Sequence, residues 1–163
     1  MSTTDEVASS MEDEDLLLNR QLCFALTVAS RSVVGAYKPV LDRLGLTHPQ
    51  YLVMLALWEQ SPRTLKDLGE TLLHEPATLS PLLRRLEEAG LVTRDRVPVN
   101  ERALAIRLTR RGEDLREKAL DVPGTMMQRL GLTRGEVEEL NEAMRRLIAA
   151  TRQPMAESSQ PGE

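Results

Sequence analysis

Cys23 is the only cysteine in a chain of 163 residues. It lies in the stretch RQLCFALTVASRSVVGAYKP, residues 20–39, which also holds Tyr37. A thiol is oxidised readily when it is ionised and reachable, and is otherwise a small buried hydrophobe. One cysteine cannot close a disulfide within a chain, so redox chemistry at Cys23 has to involve a second molecule. A second chemical concentration lies further on. Residues 84–111 hold eight arginines (Arg84, Arg85, Arg94, Arg96, Arg102, Arg107, Arg110, Arg111) against four acids (Glu87, Glu88, Asp95, Glu101). Such a run is either a solvated face or a surface for phosphate. His48 and His74 lie apart, and a lone thiol adds no cluster of ligands, so neither a metal site nor a bound cofactor is expected.

The net charge of -4 argues against a polyanionic partner only until it is divided along the chain. Residues 1–15 carry six acids and no base, which leaves the body from residue 16 onward at +2. The length fits one domain with a core of its own. No apolar stretch approaches the roughly 20 residues of a membrane span, and the acidic start lacks the layout of a secretory signal. A soluble protein of the cytoplasm is expected, with no membrane partner. Residues 1–15 and the tail 152–163 have too little apolar surface to offset the entropy of ordering them, and both are expected to be disordered.

Between them the pattern is mainly helical. Leu18, Leu22, Leu26, Ala29 and Val33 recur at helical spacing, which predicts a long helix from Leu16 to about Ala36, stopping before Pro39. Thr47 and Gln50 form a capping-box pattern for a second helix reaching about Gln60. Thr64 and Asp67 repeat the device for a short third helix over Leu65–Leu73. EPATLSPLLRRLEEAG reads as a fourth, ended by Gly90, with Pro81 expected in a first turn or at a kink. After Gly90 the period turns alternating, and LVTRDRV and ALAIRLT predict a two-stranded hairpin with an arginine-rich loop. A fifth helix should run from Thr109 to the Pro123-Gly124 interruption. A sixth opens at Thr133 and Glu136 with Val137, Leu140, Met144, Leu147 and Ile148 as its apolar stripe.

Short helix, turn, helix and hairpin, with arginines on the last two, describe a winged helix-turn-helix over 61–109. A helix fits the major groove, and a hairpin beside it can lay an arginine in the adjacent minor groove. The stretch LGETLLHEPATLSPLLRRLEEAGLVTRDRVPVNERALAIRLTRRG resembles the MarR family of dimeric winged-helix repressors, and the resemblance covers nearly the whole of 16–151. It implies that the helix from about Pro76 to Ala89 reads the major groove, with Thr78, Ser80 and Arg84 as contacts to bases or phosphates. Arg85, Arg94 and Arg96 are further candidate DNA contacts beside it. Arg102 matches the family's wing-tip arginine, although Asn100 stands where the family usually has an aspartate. The resemblance also implies a homodimer built by the first and last helices, with 16–60 and 110–151 as the dimerisation and sensing region. Two reading helices would then face double-stranded DNA about 34 Å apart, over an inverted-repeat operator.

The stretch NRQLCFALTVASRSVVGAYKPVLDRLGLTHPQYLVMLALWE is similar to the one-cysteine organic hydroperoxide sensors of that family, the OhrR branch. The similarity makes Cys23 the peroxidatic thiol, whose thiolate attacks the peroxide. Tyr37, fourteen residues on, would lie about 21 Å away along one straight helix, so the two cannot touch within a chain. An antiparallel pairing of two such helices would bring Tyr37 of the partner subunit to the thiol. The branch places a second tyrosine beside the cysteine; here that position is His48. Histidine also donates a hydrogen bond, and a protonated imidazole would stabilise a thiolate more strongly than a phenol and make the site pH-dependent. Tyr51, Trp58 and Phe24 are read as core packing or pocket walls. After oxidation by an organic hydroperoxide, a low-molecular-weight thiol would condense with Cys23, the helices would shift, and DNA would be released. Three other readings stay open: a MarR-type repressor released by an aromatic ligand, with Cys23 merely buried; a one-cysteine thiol peroxidase, disfavoured because LLLNRQLC lacks the proline and threonine that peroxiredoxins keep before their nucleophile; and a winged-helix module that contacts only proteins.

Overall fold

The computed structural model describes the backbone of residues 14–97 and 100–152, and all their side chains except those of 97–103. These residues divide at Val122/Pro123 into two compact units.

In the first unit a single 3-10 turn, Leu18–Arg20, leads into helix α1, Leu22–Asp42. Helix α2, His48–Glu59, opens on the predicted capping box: the Thr47 amide donates to Gln50 Oε1 at 2.9 Å and the Gln50 amide to Thr47 Oγ1 at 3.4 Å. A short strand β1, Arg63–Thr64, precedes helix α3, Leu65–Leu72, whose first turn donates from the Asp67 amide to Thr64 Oγ1 at 3.1 Å. Helix α4, Pro76–Glu88, ends at Gly90, whose positive φ of 72° is the left-handed turn that glycine adopts without strain. Strands β2, Val92–Val97, and β3, Asn100–Leu108, form the hairpin. Helix α5, Arg110–Ala119, is capped by Thr109. The sheet runs β1-β3-β2, all antiparallel, with a register irregularity between Arg96 and Val97. The second unit contains most of helix α6, Val122–Leu130, and helix α7, Arg134–Arg152, which starts on the Thr133 and Glu136 box.

The fold class expected from the sequence stands: mostly helical, with a small antiparallel sheet. Four details differ. Helix α1 starts six residues later than predicted, because Gln21 is extended (φ -82°, ψ 119°) and closes off the 3-10 turn. The consecutive leucines 16–18 fit no single stripe, so periodicity marked an apolar segment without fixing a helix start. The same helix runs through Pro39 to Asp42. Proline removes one helical hydrogen bond, but Val40 and Leu41 beyond it are buried at 3% and 1% exposure, and their burial offsets the loss. Pro81 lies inside α4, as the sequence reading has it, between buried Leu79 and Leu83. Pro123 and Gly124 open α6 instead of ending the preceding helix, since proline suits a first turn. Finally, the hairpin is part of a three-stranded sheet, because the two residues of β1 are too few to show a period.

Residues 1–13 and 153–163, expected to be disordered, lie outside the described residues. Glu14 and Asp15 do not: both have helical backbone, and Arg20 pairs with Glu14 at 2.9 Å. Arg152, taken as the start of the tail, is the last residue of α7.

The core of the first unit lies between α2, α3, α4 and the sheet, where Val53, Met54, Leu57, Leu68, Leu79, Leu86 and Ile106 are fully buried. Arg63 fastens its edge. Its side chain is 10% exposed. Nε donates to Ala56 O at 3.0 Å at the end of α2, while Nη1 donates to Asp67 Oδ2 at 3.0 Å and Thr71 Oγ1 at 2.9 Å on α3. Replacing Arg63 by Met keeps the stem and strands these acceptors. We expect a loss of about 2 kcal/mol in unfolding free energy, read as a lower urea midpoint with an unchanged slope.

Candidate functional site

Helix α4 and the hairpin form one continuous basic surface. Thr78, Ser80, Arg84 and Arg85 are all exposed on α4, and Arg96 is exposed on β2. Leu79, Leu83 and Leu86 turn the opposite face into the core. A groove of about 510 Å³ between helix and hairpin is lined by Ser80, Pro81, Arg84, Arg85, Glu88 and Arg94. Two arginines on its walls already have carboxylate partners. Arg84 Nε donates to Glu88 Oε1 at 3.0 Å across one exposed helical turn. Arg94 Nε and Nη2 both reach Glu87 Oε2, at 2.8 and 2.6 Å. This pair holds the Glu87 carboxyl below its usual range, chiefly through the hydrogen bond from Arg94. Ser80 Oγ donates back to Pro76 O at 3.0 Å. The side chains of Asn100 and Arg102 lie outside the described residues; their backbones belong to β3.

The base of the hairpin is tied to the rest of the unit at Gly112. A Cβ there would run into the carbonyl oxygen of Leu91, so only glycine allows α5 to start so close to β2. Trp58 Nε1 donates to Gly112 O at 2.9 Å, and Thr109 Oγ1 donates to Gly90 O at 2.6 Å. The indole hydrogen bond gives Trp58 a role beyond core packing or a pocket wall. Only the fold reveals Glu87 as the partner of Arg94, seven residues away in sequence.

Cys23 occupies the second position of α1 and is exposed. The first turn carries no acidic residue, and Gln21 makes no side-chain cap. The free N–H groups of that turn therefore face outward at the end of a helix that interacts favourably with negative charge. Arg20, three residues upstream, is turned to Glu14. Around Cys23 the apolar side chains lack cover: Leu18 is 62% exposed, Leu22 59%, and Phe24 and Val28 close to 40%.

Tyr37 and His48 meet far from Cys23 in the same chain. They meet at the corner between α1 and α2, with ring centroids 5.4 Å apart in an edge-on arrangement. Tyr51 stacks next at 6.1 Å from Tyr37, and Trp58 at 6.5 Å from Tyr51. Burial pushes the Tyr37 phenol up, so it stays a hydroxyl donor at neutral pH. Burial moves His48 the other way, below its ordinary 6.5. Burial thus favours the neutral imidazole near pH 7.

A helix pair with an exposed basic second helix, followed by a hairpin tied to it, defines a winged helix-turn-helix DNA-binding protein. The MarR family model matches residues 46–104, from the start of α2 into β3. The chain is 45% identical over 129 residues to the organic hydroperoxide resistance transcriptional regulator of Bacillus subtilis, covering 79% of this chain and 86% of that one. It is 36% identical over 134 residues to the regulator MgrA of Staphylococcus aureus, 82% and 91% of the two chains. Its fold is similar to that of reduced AbfR bound to DNA, with a TM-score of 0.73 and 32% identity over 87% of this chain and 99% of that one. The chain belongs to the MarR family. It is a DNA-binding transcriptional regulator and not an enzyme.

His48 makes the protomer sensitive to mild acid. The folded state keeps the imidazole neutral to lower pH than the unfolded chain does, so below 6.5 the unfolded chain binds more protons and stability falls with the pH. Urea midpoints measured at about pH 7.5 and about pH 5.5 should differ more for the native sequence than for His48→Phe.

Proposed function

We propose that the chain is a homodimeric repressor that senses organic hydroperoxides through Cys23 and then releases an inverted-repeat operator. The observation that carries this reading is an exposed thiol on the first turn of α1, set among apolar side chains that its own chain leaves uncovered. An uncovered apolar face of this kind marks an interaction surface. A second copy laid antiparallel on α1 would cover it and bring Tyr37 and His48 of the partner subunit to the sulfur. The 45% identity to a hydroperoxide resistance regulator supports the same assignment. A regulator of this class works where the chromosome is, in the cytoplasm.

The chemistry balances with one peroxide and one thiol. The Cys23 thiolate attacks the terminal peroxide oxygen, the O–O bond breaks, and the departing alkoxide takes a proton to become an alcohol, leaving a sulfenic acid. A low-molecular-weight thiol then displaces water from the sulfenic acid and forms a mixed disulfide. The added bulk stands where the partner's phenol and imidazole were, and the two reading helices lose their one-turn spacing. Thr78, Ser80, Arg84, Arg85, Arg96 and Arg102 are the proposed DNA contacts.

Two measurements test the proposal. Sedimentation should give about twice the 18.3 kDa protomer mass, and Phe24→Glu/Val28→Glu should give monomers with DNA affinity at least tenfold lower. On DNA from upstream of its own gene, one equivalent of cumene hydroperoxide together with a small thiol should release the native protein and leave Cys23→Ser bound. A Cys23→Ser protein that dissociates equally overturns the sensing role and points to release by another ligand.

A further inference from the structure

Arg94 belongs to the arginine-rich segment and, from sequence alone, is a candidate DNA contact. Its geometry serves another purpose. In the hairpin Arg94 pairs directly with Ile106, and Val92 with Leu108. Side chains of directly paired residues share a face of the sheet. Ile106 and Val92 are fully buried, so Arg94 rises from the core-facing side, beneath α4. Arg107 and Thr93, on the other face, are exposed. The Arg94 side chain is 29% exposed and its partner Glu87 37%, whereas the Arg84–Glu88 pair on the same surface stands at 73% and 62%. Arg94 places two nitrogens on one carboxylate oxygen of α4. A charge-assisted pair of that geometry fixes orientation as well as distance.

We infer that Glu87 and Arg94 are positioning residues: a strut between reading helix and wing that sets the angle at which both meet DNA, with the Arg94 guanidinium held on Glu87 instead of on a phosphate. The inference rests on the DNA-binding assignment and refines it. Helix and wing enter adjacent grooves, so specific binding needs their relative angle, while nonspecific attraction to phosphate does not. The strut therefore contributes to discrimination between sequences, and Arg94 releases no counterion of its own when DNA binds.

The test uses the full chain and the duplex that the native protein selects from a random-sequence pool, with an unselected duplex as reference. Binding is titrated across a salt series for the native protein, Glu87→Gln, Arg94→Gln, the double variant and Arg84→Gln. Each strut variant should lower affinity for the selected duplex by roughly a factor of ten relative to the unselected one. The double variant should fall no further than the singles, because both remove one interaction. The slope of log affinity against log salt should stay at the native value for Arg94→Gln and drop by about 1 for Arg84→Gln. A slope lowered by about 1 in Arg94→Gln makes Arg94 a phosphate contact and overturns the strut. So does a Glu87→Gln protein with undiminished preference for the selected duplex, which needs no folded Arg94 variant to be read. A native protein that selects no duplex at all overturns the DNA-binding reading, and the strut with it.

Discussion

Helix α2 is apolar on nearly its whole circumference, and a helix of that composition is stable only when other elements surround it. Tyr51, Val53, Met54, Ala56 and Leu57 are buried on it, against α1, α3, α4, α5 and β3. The rest of the first unit follows from that requirement. The N-terminal end of α2 meets Tyr37, through His48 and Tyr51. Its C-terminal end supplies Trp58 to Gly112 at the base of the hairpin and Ala56 O to Arg63. One helix thus holds the aromatic corner at one end and the root of the wing at the other, with His48 and Trp58 about 15 Å apart by helical rise.

Acids divide the arginines on the proposed DNA-binding surface into two groups. Glu87 takes Arg94 in a half-buried pair, and Glu88 takes Arg84 in an exposed one. The exposed pair lies in water, where such contacts are weak and easily exchanged for a phosphate. The half-buried pair is harder to part, since separating it leaves charge with less solvent to stabilise it. Two glutamates one position apart on α4 thus hold arginines in different surroundings, one exposed and one half-buried.

The sensing chemistry proposed for Cys23 is incomplete within one chain. Cys23 stands on the first turn of α1, with Tyr37 near the end of the same helix. The fourteen residues of helix between them keep them apart, and Tyr37 packs instead in the corner with His48 and Tyr51 of α2. The surface around the thiol is apolar and uncovered, a condition costly in water for a monomer. Sensing and dimer formation would therefore draw on the same side chains.

Features that depend on neighbours three or four residues away were legible in the sequence. The boxes at Thr47 and Thr133 and the cap at Thr64 each close a hydrogen bond within one turn, so residue type and spacing suffice. The Gly90 turn and the alternating hairpin are equally local. The positions of Cys23, Tyr37 and His48 on helices, and the basic face of α4, followed from those elements. Tertiary structure alone decided whether Pro39, Pro81 and Pro123 stop, bend or start a helix, because the outcome turns on how much burial lies beyond each proline. It also decided the two-residue strand β1, the seat of Arg63, and the choice of Glu87 as the partner of Arg94. Those are contacts between segments whose separation in sequence carries no period, and their energy exists only once the core has brought the segments together.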